Sequence, residues 1–247
     1  MFDFMEKNMK LITIGTSHGK PSATRSCTAQ LLEINGFYYF IDSGVLLPDY
    51  IARNDIPIDK IRCFFATHPH SDHIGCLPAA VYYMDSYFRG EKVNFILPSQ
   101  ESLEFARFFY DKEKRNISNR VSFKVFVEGV IYEDENVKVT AVLNKHMPNS
   151  YSFIFEAEGK KLLISGDLNH DYGDLPSVAF DGSLDFILCE CAHQKLEIVE
   201  NIFPKIKAKQ FVLTHIGRIL PPSELAEYRE RSGVQFVMAD DGQEFKI

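Results

Sequence analysis

Four metal-capable side chains fall on one short turn: Thr67-His68-Pro69-His70-Ser71-Asp72-His73 reads H-x-H-x-D-H. The run before it, Ile61-Arg62-Cys63-Phe64-Phe65-Ala66, is short, apolar and aromatic enough for a buried strand. After it, Ile74 to Met84 has the apolar density of a helix. The ligand-type residues therefore belong on a strand-to-helix turn, and the fold must supply a core for both flanking elements.

Composition is consistent with such a core. With 247 residues, 45% hydrophobic and 25% charged, the sequence is that of an ordinary soluble globular protein. One mixed α/β domain over residues 1–247 is expected, since no linker, repeat or low-complexity tract marks a boundary. No apolar run approaches the roughly 18 residues of a membrane span. The start, MFDFMEKNMK, mixes acids with bases instead of placing a basic region before an apolar one, which points to the cytoplasm. The five cysteines, at 27, 63, 76, 189 and 191, are odd in number and read as reduced core thiols. Cys189-Glu190-Cys191 is spaced too tightly for the usual zinc pair. A formal charge of −7 opposes a broadly basic, nucleic-acid-binding surface, although a local basic patch remains compatible with it.

Along the chain, Lys10–Gly15, Thr28–Ile34 and Phe37–Ile41 read as an opening antiparallel meander. Between the first two strands lies a loop rich in glycine, hydroxyls and cations, Gly15 to Arg25, of the composition an anion site needs. A helix over 45–54, the ligand strand over 61–67, a helix over 74–88, a strand over 93–97 and a helix over 99–110 follow. Strands are then expected over 121–127, 137–143, 152–156 and 161–165, and two βα units close the chain, with strands at 186–190 and 210–213, helices at 196–203 and 223–231, and short strands over 234–238 and 244–247. Two similar halves, each rich in strands and carrying helices, predict two sheets face to face with helices outside, a four-layer α/β/β/α sandwich.

Three more ionisable residues stand where strands are expected to end: His146, Asp167 and His215. With His68, His70, Asp72 and His73 they make seven candidate ligands. Imidazole and carboxylate without thiolate suit zinc, manganese or iron, and one bridging carboxylate allows two divalent cations about 3.5–4 Å apart. Such a pair would make hydroxide available near neutral pH and polarise the group under attack, so hydrolysis is the expected reaction. Zn2+ is the first expectation, with Mn2+ or Fe as alternatives.

The pattern resembles the metallo-β-lactamase-fold hydrolase superfamily, whose signature is H-x-H-x-D-H followed by a lone His, a lone Asp and a final His. The resemblance runs from Gly15 to His215 and includes the turn at Asp42 that precedes the main motif. It implies that His68, His70 and His146 hold one metal, that Asp72, His73 and His215 hold the other, and that Asp167 bridges. Members that open β-lactams typically carry Cys at the bridging place, so Asp167 points away from that activity. Asp42 either orients a ligand histidine through that ring's other nitrogen or fixes a turn.

The Gly15-Thr16 loop, with Pro21 and Arg25, resembles the start of ribonuclease Z and of the small cyclic-phosphate phosphodiesterase of phosphonate breakdown. On that reading Lys20 and Arg25 bind phosphate oxygens. Ser150-Tyr151 after His146 is similar to ribonuclease Z, which places Ser150 beside the substrate, and Ile187 to His193 resembles the H-E-A-T region of that family, with Glu190 in the matching position. His193, at the expected C-terminal end of a strand, is read either as the group that protonates a leaving alkoxide or as a plain surface histidine. Asp72 is the other candidate for that proton, as a ligand that doubles as proton relay, while nothing chemical demands a role for His18 or His170. From His146 to Asp167 is 167 − 146 = 21 residues, where ribonuclease Z carries a long tRNA-clamping arm. No arm fits, and tRNA loses its electrostatic grip.

The sequence thus reads as a dinuclear metal-dependent hydrolase, a phosphodiesterase acting on a small cyclic or nucleotide-like phosphodiester through a metal-bridging hydroxide. The alternatives are a lactone or thioester hydrolase, a tRNA 3′ processing endonuclease and a catalytically silent metal-binding module. The expected partner is a small-molecule substrate; a membrane is not expected, nucleic acid is disfavoured, and a homodimer stays open.

Overall fold

The computed structural model describes residues 9–247. The first eight, which carry most of the reading of the chain's start, lie outside the described residues. Among those described, fourteen strands form in chain order. They are β1 (Met9–Gly15), β2 (Ala29–Ile34), β3 (Phe37–Ile41), β4 (Ile61–Phe65), β5 (Val93–Leu97), β6 (Val121–Val125), β7 (Gly129–Glu133), β8 (Lys138–Leu143), β9 (Tyr151–Ala157), β10 (Lys160–Ile164), β11 (Leu184–Cys191), β12 (Ala208–Ile216), β13 (Val237–Met238) and β14 (Gln243–Lys246). The helices are α1 (Leu47–Arg53), α2 (Ser71–Ile74), α3 (Leu77–Tyr87), α4 (Gln100–Ala106), α5 (Phe108–Glu113), α6 (Val178–Asp181), α7 (Leu196–Ile202) and α8 (Pro222–Ser232).

Two seven-stranded sheets result, in the orders β14-β1-β2-β3-β4-β5-β6 and β13-β12-β11-β10-β9-β8-β7. Each begins as an antiparallel meander and continues in parallel: β1-β2-β3 is antiparallel and β3-β4-β5-β6 parallel, while β7-β8-β9-β10 is antiparallel and β10-β11-β12-β13 parallel. Parallel strands are buried on both faces and read as continuous apolar runs, and every residue of β11 is buried.

Three apolar clusters separate four layers, as expected from the sequence. The central one joins the inner faces of the two sheets, with Leu11, Tyr39, Ile41 and Phe65 from the first meeting Phe153, Phe155, Ile164 and Leu188 from the second. A second cluster packs Phe40, Phe64 and Phe95 under Leu77, Val81 and Met84 of α3. A third sets Ile187, Cys189 and Leu213 under Val199 of α7 and Leu225 of α8. In β3 the period of two is explicit: Tyr39 and Ile41 enter the central core while Phe40 faces the helices.

The element boundaries depart from expectation in instructive ways. The helix read over 74–88 is two pieces, α2 and α3, because Pro78 sits in the first turn of α3 where its missing N–H costs nothing. The helix read over 99–110 breaks at Arg107 into α4 and α5. Strand β7 and helix α6 have no counterpart in the sequence reading; each is short and carries no period long enough to register. Strand β12 runs on to Ile216 with His215 in left-handed backbone (φ 53°). All five cysteines are free thiols. No helix among the described residues is long and apolar enough to cross a membrane.

Candidate metal centre

The site forms outside the carboxyl ends of the parallel strands, where open α/β sheets present their loops. β3 delivers Asp42, β4 the His68–His73 turn, β8 His146, β10 Asp167, β11 His193 and β12 His215. All seven candidate ligands come together in two groups. His68, His70, His146 and Asp167 place ligating atoms within 4.8 Å of one another, and so do Asp72, His73 and His215.

Asp167 faces both groups with different oxygens. Its Oδ2 lies 3.6 Å from His68 Nε2 and 3.6 Å from His146 Nε2, while its Oδ1 lies 3.2 Å from His73 Nε2 and 3.6 Å from His215 Nδ1. Within the first group His70 Nδ1 stands 3.0 Å from His68 Nε2 and 3.2 Å from His146 Nε2. In the second, Asp72 Oδ2 is 3.2 Å from His215 Nε2 and 3.8 Å from His73 Nε2. A tetrahedral ion bound at about 2.0–2.1 Å sets its ligands about 3.3 Å apart, and the separations of the first group bracket that edge, whereas in the second His215 turns Nε2 to Asp72 and Nδ1 to Asp167.

The buried polar atoms give an independent test. His73 Nε2, Asp167 Oδ1 and His215 Nδ1 are buried without a hydrogen-bond partner, the oxygen lying 3.2 Å from the first nitrogen and 3.6 Å from the second. Buried polar groups are rarely left unpaired, so a cation is what this geometry accommodates. Electrostatics agree. Burial alone would raise the Asp72 and Asp167 carboxyls, but the imidazoles of His215 and His73 bring Asp72 down to about 2 and hold Asp167 well below the usual carboxylate range. Burial, reinforced by the neighbouring His73, pushes His68 well below its ordinary value, which keeps it the neutral ring a metal ligand must be. Burial would lower His73 too, yet the carboxylates of Asp167 and Asp42 raise it well above its ordinary value, a pull for positive charge that a cation answers equally well.

Asp42 does both of the things the sequence allowed. It turns the chain in left-handed backbone (φ 59°), and its Oδ2 sits 2.7 Å from His73 Nδ1, the nitrogen opposite the ligating one. Its Oδ1 accepts the Thr67 N–H at 2.8 Å, and the Thr67 hydroxyl in turn lies 3.1 Å from His68 Nδ1. One carboxylate thus orients a ring in each group. Glu190 plays the matching part for His193: its Oε1 lies 3.0 Å from His193 Nδ1, and it also accepts the Leu168 N–H at 3.0 Å and the Ala192 N–H at 2.7 Å. Burial lowers His193, but the Glu190 carboxylate outweighs it and raises the ring above its ordinary value. His193 Nε2 then looks toward Asp167 Oδ2 at 3.9 Å.

Gly166, just before the bridging residue, is needed at φ 58°, where a Cβ would meet the Tyr151 carbonyl oxygen at 2.7 Å. Asp174 ties two ligand loops together, accepting the Lys145 N–H at 2.6 Å beside His146 and the Asn169 N–H at 3.1 Å beyond Asp167.

A cavity of about 290 Å³ opens beside the metal groups, lined by His18, Gly19, Lys20, His70, Asp72, Asp167, His193, His215 and Arg218. Lys20 stands in its wall. Arg25 does not: its guanidinium is turned the other way, to Thr16 Oγ1, the Ala239 carbonyl and Asp240. In a Gly- and Ser-rich loop the sequence cannot say which way a cation points. Ser150 is also absent from the wall; it is fully buried and its carbonyl accepts the Asn144 N–H at 3.0 Å under the His146 loop. His170 reaches the site indirectly, its Nδ1 lying 2.9 Å from the His193 carbonyl. The sequence reading missed Arg218 and undervalued His18. The available signal was position, since Arg218 follows the ligand His215 by three residues at the end of a ligand-bearing strand.

Two sheets face to face, with six strand ends converging on paired histidine–carboxylate groups able to hold a divalent metal, give this chain the metallo-β-lactamase fold. Residues 9–218 match the family described as Anti-Pycsar protein Apyc1. The chain belongs to that family. Among curated proteins, ribonuclease Z of Anoxybacillus flavithermus is 33% identical over 148 residues, covering 59% of this chain and 47% of that protein. The chain therefore spans about half the length of the curated relatives it matches. Among solved structures, the metallo-β-lactamase fold protein YhfI from Bacillus subtilis superposes with a TM-score of 0.77 at 16% identity, covering 97% of this chain and 100% of that one. A diphosphatase of the PhnP family gives a TM-score of 0.70 at 18% identity over 97% and 98% of the two chains.

Proposed function

We propose that the chain is a dinuclear, zinc-dependent phosphodiesterase acting on a small cyclic or nucleotide-like phosphodiester. The observation that carries this reading is the cavity beside Asp167, which is small and has two cations, Lys20 and Arg218, in its wall. A volume of about 290 Å³ suits a compact ligand. Its two cations suit the oxygens of a phosphodiester.

His68, His70, His146 and Asp167 would hold one ion and Asp72, His73, His215 and Asp167 the other. When bound, the ions supply Lewis acidity and a water that is acidic near neutral pH. The remaining work falls to side chains. Lys20 and Arg218 hold the phosphate, and Asp72, on the cavity wall, relays a proton. With Nδ1–H donated to Glu190, His193 carries its mobile proton on Nε2, from which it can protonate the departing oxygen. The relatives called ribonuclease Z and diphosphatase support phosphorus as the electrophile. A lactone or thioester hydrolase would require a tyrosine or similar group for the carbonyl oxygen, and no tyrosine stands among the residues lining this cavity.

The test is a substrate panel of bis(para-nitrophenyl) phosphate, cyclic nucleoside monophosphates and an acyl lactone, run on the wild type, Asp167→Ala and Arg218→Ala with metal content measured on each. Asp167→Ala should lose bound metal and all measurable turnover. Arg218→Ala should keep its metal and raise KM for the phosphodiester about tenfold, the scale of one charge-assisted contact. Lactone hydrolysis without phosphodiester turnover would overturn the assignment.

A further inference from the structure

The loop from Thr16 to Ser26 carries His18, Gly19 and Lys20 into the cavity wall. What fixes it is a turn more than two hundred residues away in sequence. Asp241 Oδ1 accepts the Thr16 N–H at 2.9 Å and the Thr16 hydroxyl at 2.8 Å, while its Oδ2 accepts the Ser26 N–H at 2.6 Å. One carboxylate therefore pins both feet of the loop. Arg25 grips the same turn from within the loop: Nη1 donates to Thr16 Oγ1 at 2.6 Å and to the Ala239 carbonyl at 2.5 Å, and Nη2 pairs with Asp240 Oδ1 at 2.7 Å. The feet can close only because residue 15 is glycine, since a Cβ there would lie 1.8 Å from the Cys27 carbonyl oxygen.

The assembly continues into the site. The Ile216 N–H donates to the Thr16 carbonyl at 3.3 Å, and Ser17 forms a β-bridge with Ile216. Ile216 stands between His215 and Arg218 on the strand end that supplies both. The His18 ring packs edge-on against His215, with centroids 6.4 Å apart. The turn at 239–242, the loop at 16–26 and the end of β12 are thus one hydrogen-bonded body, and it carries both cations of the cavity, Lys20 and Arg218. Neither Asp241 nor Arg25 lines the cavity or belongs to a metal group. The segment matching the Apyc1 family ends at residue 218, so the turn lies outside that match.

We propose that Asp241, clasped by Arg25, is a positioning residue that sets Lys20 and His18 opposite Arg218 and so governs how tightly a phosphodiester is held, without touching it. This rests on the reading of the cavity as an anion-binding substrate site. The test compares the full-length wild type with Asp241→Asn, which keeps the side chain's shape, and Arg25→Lys, which keeps the charge and loses the fork. Bound metal, kcat and KM for bis(para-nitrophenyl) phosphate are measured on each, together with deuterium exchange of the peptide covering 16–26. Both variants should keep full metal and a kcat within about twofold, raise KM about tenfold, and lose amide protection in that peptide. Faster exchange with unchanged KM in the variants that fold would reduce the clasp to a structural role and overturn the proposal. Should the wild type hydrolyse no phosphodiester, the functional reading fails on its own. Calorimetric binding of inorganic phosphate to the metal-loaded chain then decides the positioning role: weaker binding in the variants upholds it and equal binding overturns it.

Discussion

Asp42 shows how much chemistry one buried side chain can organise. It occupies left-handed backbone that few residues tolerate, and it orients His73 directly and His68 through Thr67. Asparagine also tolerates that backbone, so Asp42→Asn isolates the electrostatic part. It should weaken metal affinity about 10- to 100-fold, the usual cost of losing a carboxylate behind a ligand histidine, with far-UV circular dichroism unchanged. Titration against a chromophoric chelator measures this, and undiminished affinity would relegate Asp42 to the turn alone. At this scale the candidate ligands were legible because seven His and Asp residues in this joint pattern are improbable by chance. The clamp at Arg25 was not, because a guanidinium looks the same in sequence whether it meets a phosphate or, as here, Thr16, a carbonyl and a carboxylate.

Between elements, Asp85 illustrates a polar fastening in an apolar layer. From α3 its Oδ2 accepts the Tyr110 hydroxyl of α5 at 2.7 Å, and its Oδ1 accepts the Ser118 N–H at 2.8 Å. Burial would raise the carboxyl, but these donors outweigh it and lower the group below its ordinary value of 3.8. A carboxylate depressed on folding stabilises the native state above its unfolded value, and that contribution disappears as pH falls through the lower folded one. Asp85→Asn should therefore cost about 1–3 kcal/mol at neutral pH, and the deficit relative to wild type should shrink below pH 3.8. Urea unfolding at a series of pH values reads both, and a pH-independent difference would contradict the assignment. The same helices mark the limit of periodicity: Tyr110 is buried against Asp85 whether or not the helix breaks at Arg107, so the apolar pattern was visible and the break was not.

For the molecule as a whole, the decisive feature is that the candidate ligands come from both sheets. His68, His70, Asp72 and His73 follow β4 of one sheet, while His146 and Asp167 follow β8 and β10 of the other and His215 lies near the end of its β12. Ions held there would cross-link the sandwich, and binding to the native state alone stabilises it by about 4 kcal/mol at a thousandfold excess over Kd. Dialysis against chelator should lower the thermal midpoint by several degrees and remove activity, and returning Zn2+ should restore both; scanning fluorimetry with and without chelator checks the first. An unchanged midpoint would place the ions outside the load path between the sheets.

The sequence by itself determined the layered fold and the seven candidate ligands, because alternation of apolar residues and the side-chain chemistry of metal binding are both local properties of a chain. Only the tertiary structure decided which oxygen of Asp167 faces which group, that Arg218 and not Arg25 enters the cavity, and that Asp241 clasps the loop at 16–26. Each of those depends on the direction of a side chain and on the meeting of segments as far apart as Thr16 and Asp241. Neither is encoded at a fixed spacing, and packing of the two sheets settles both.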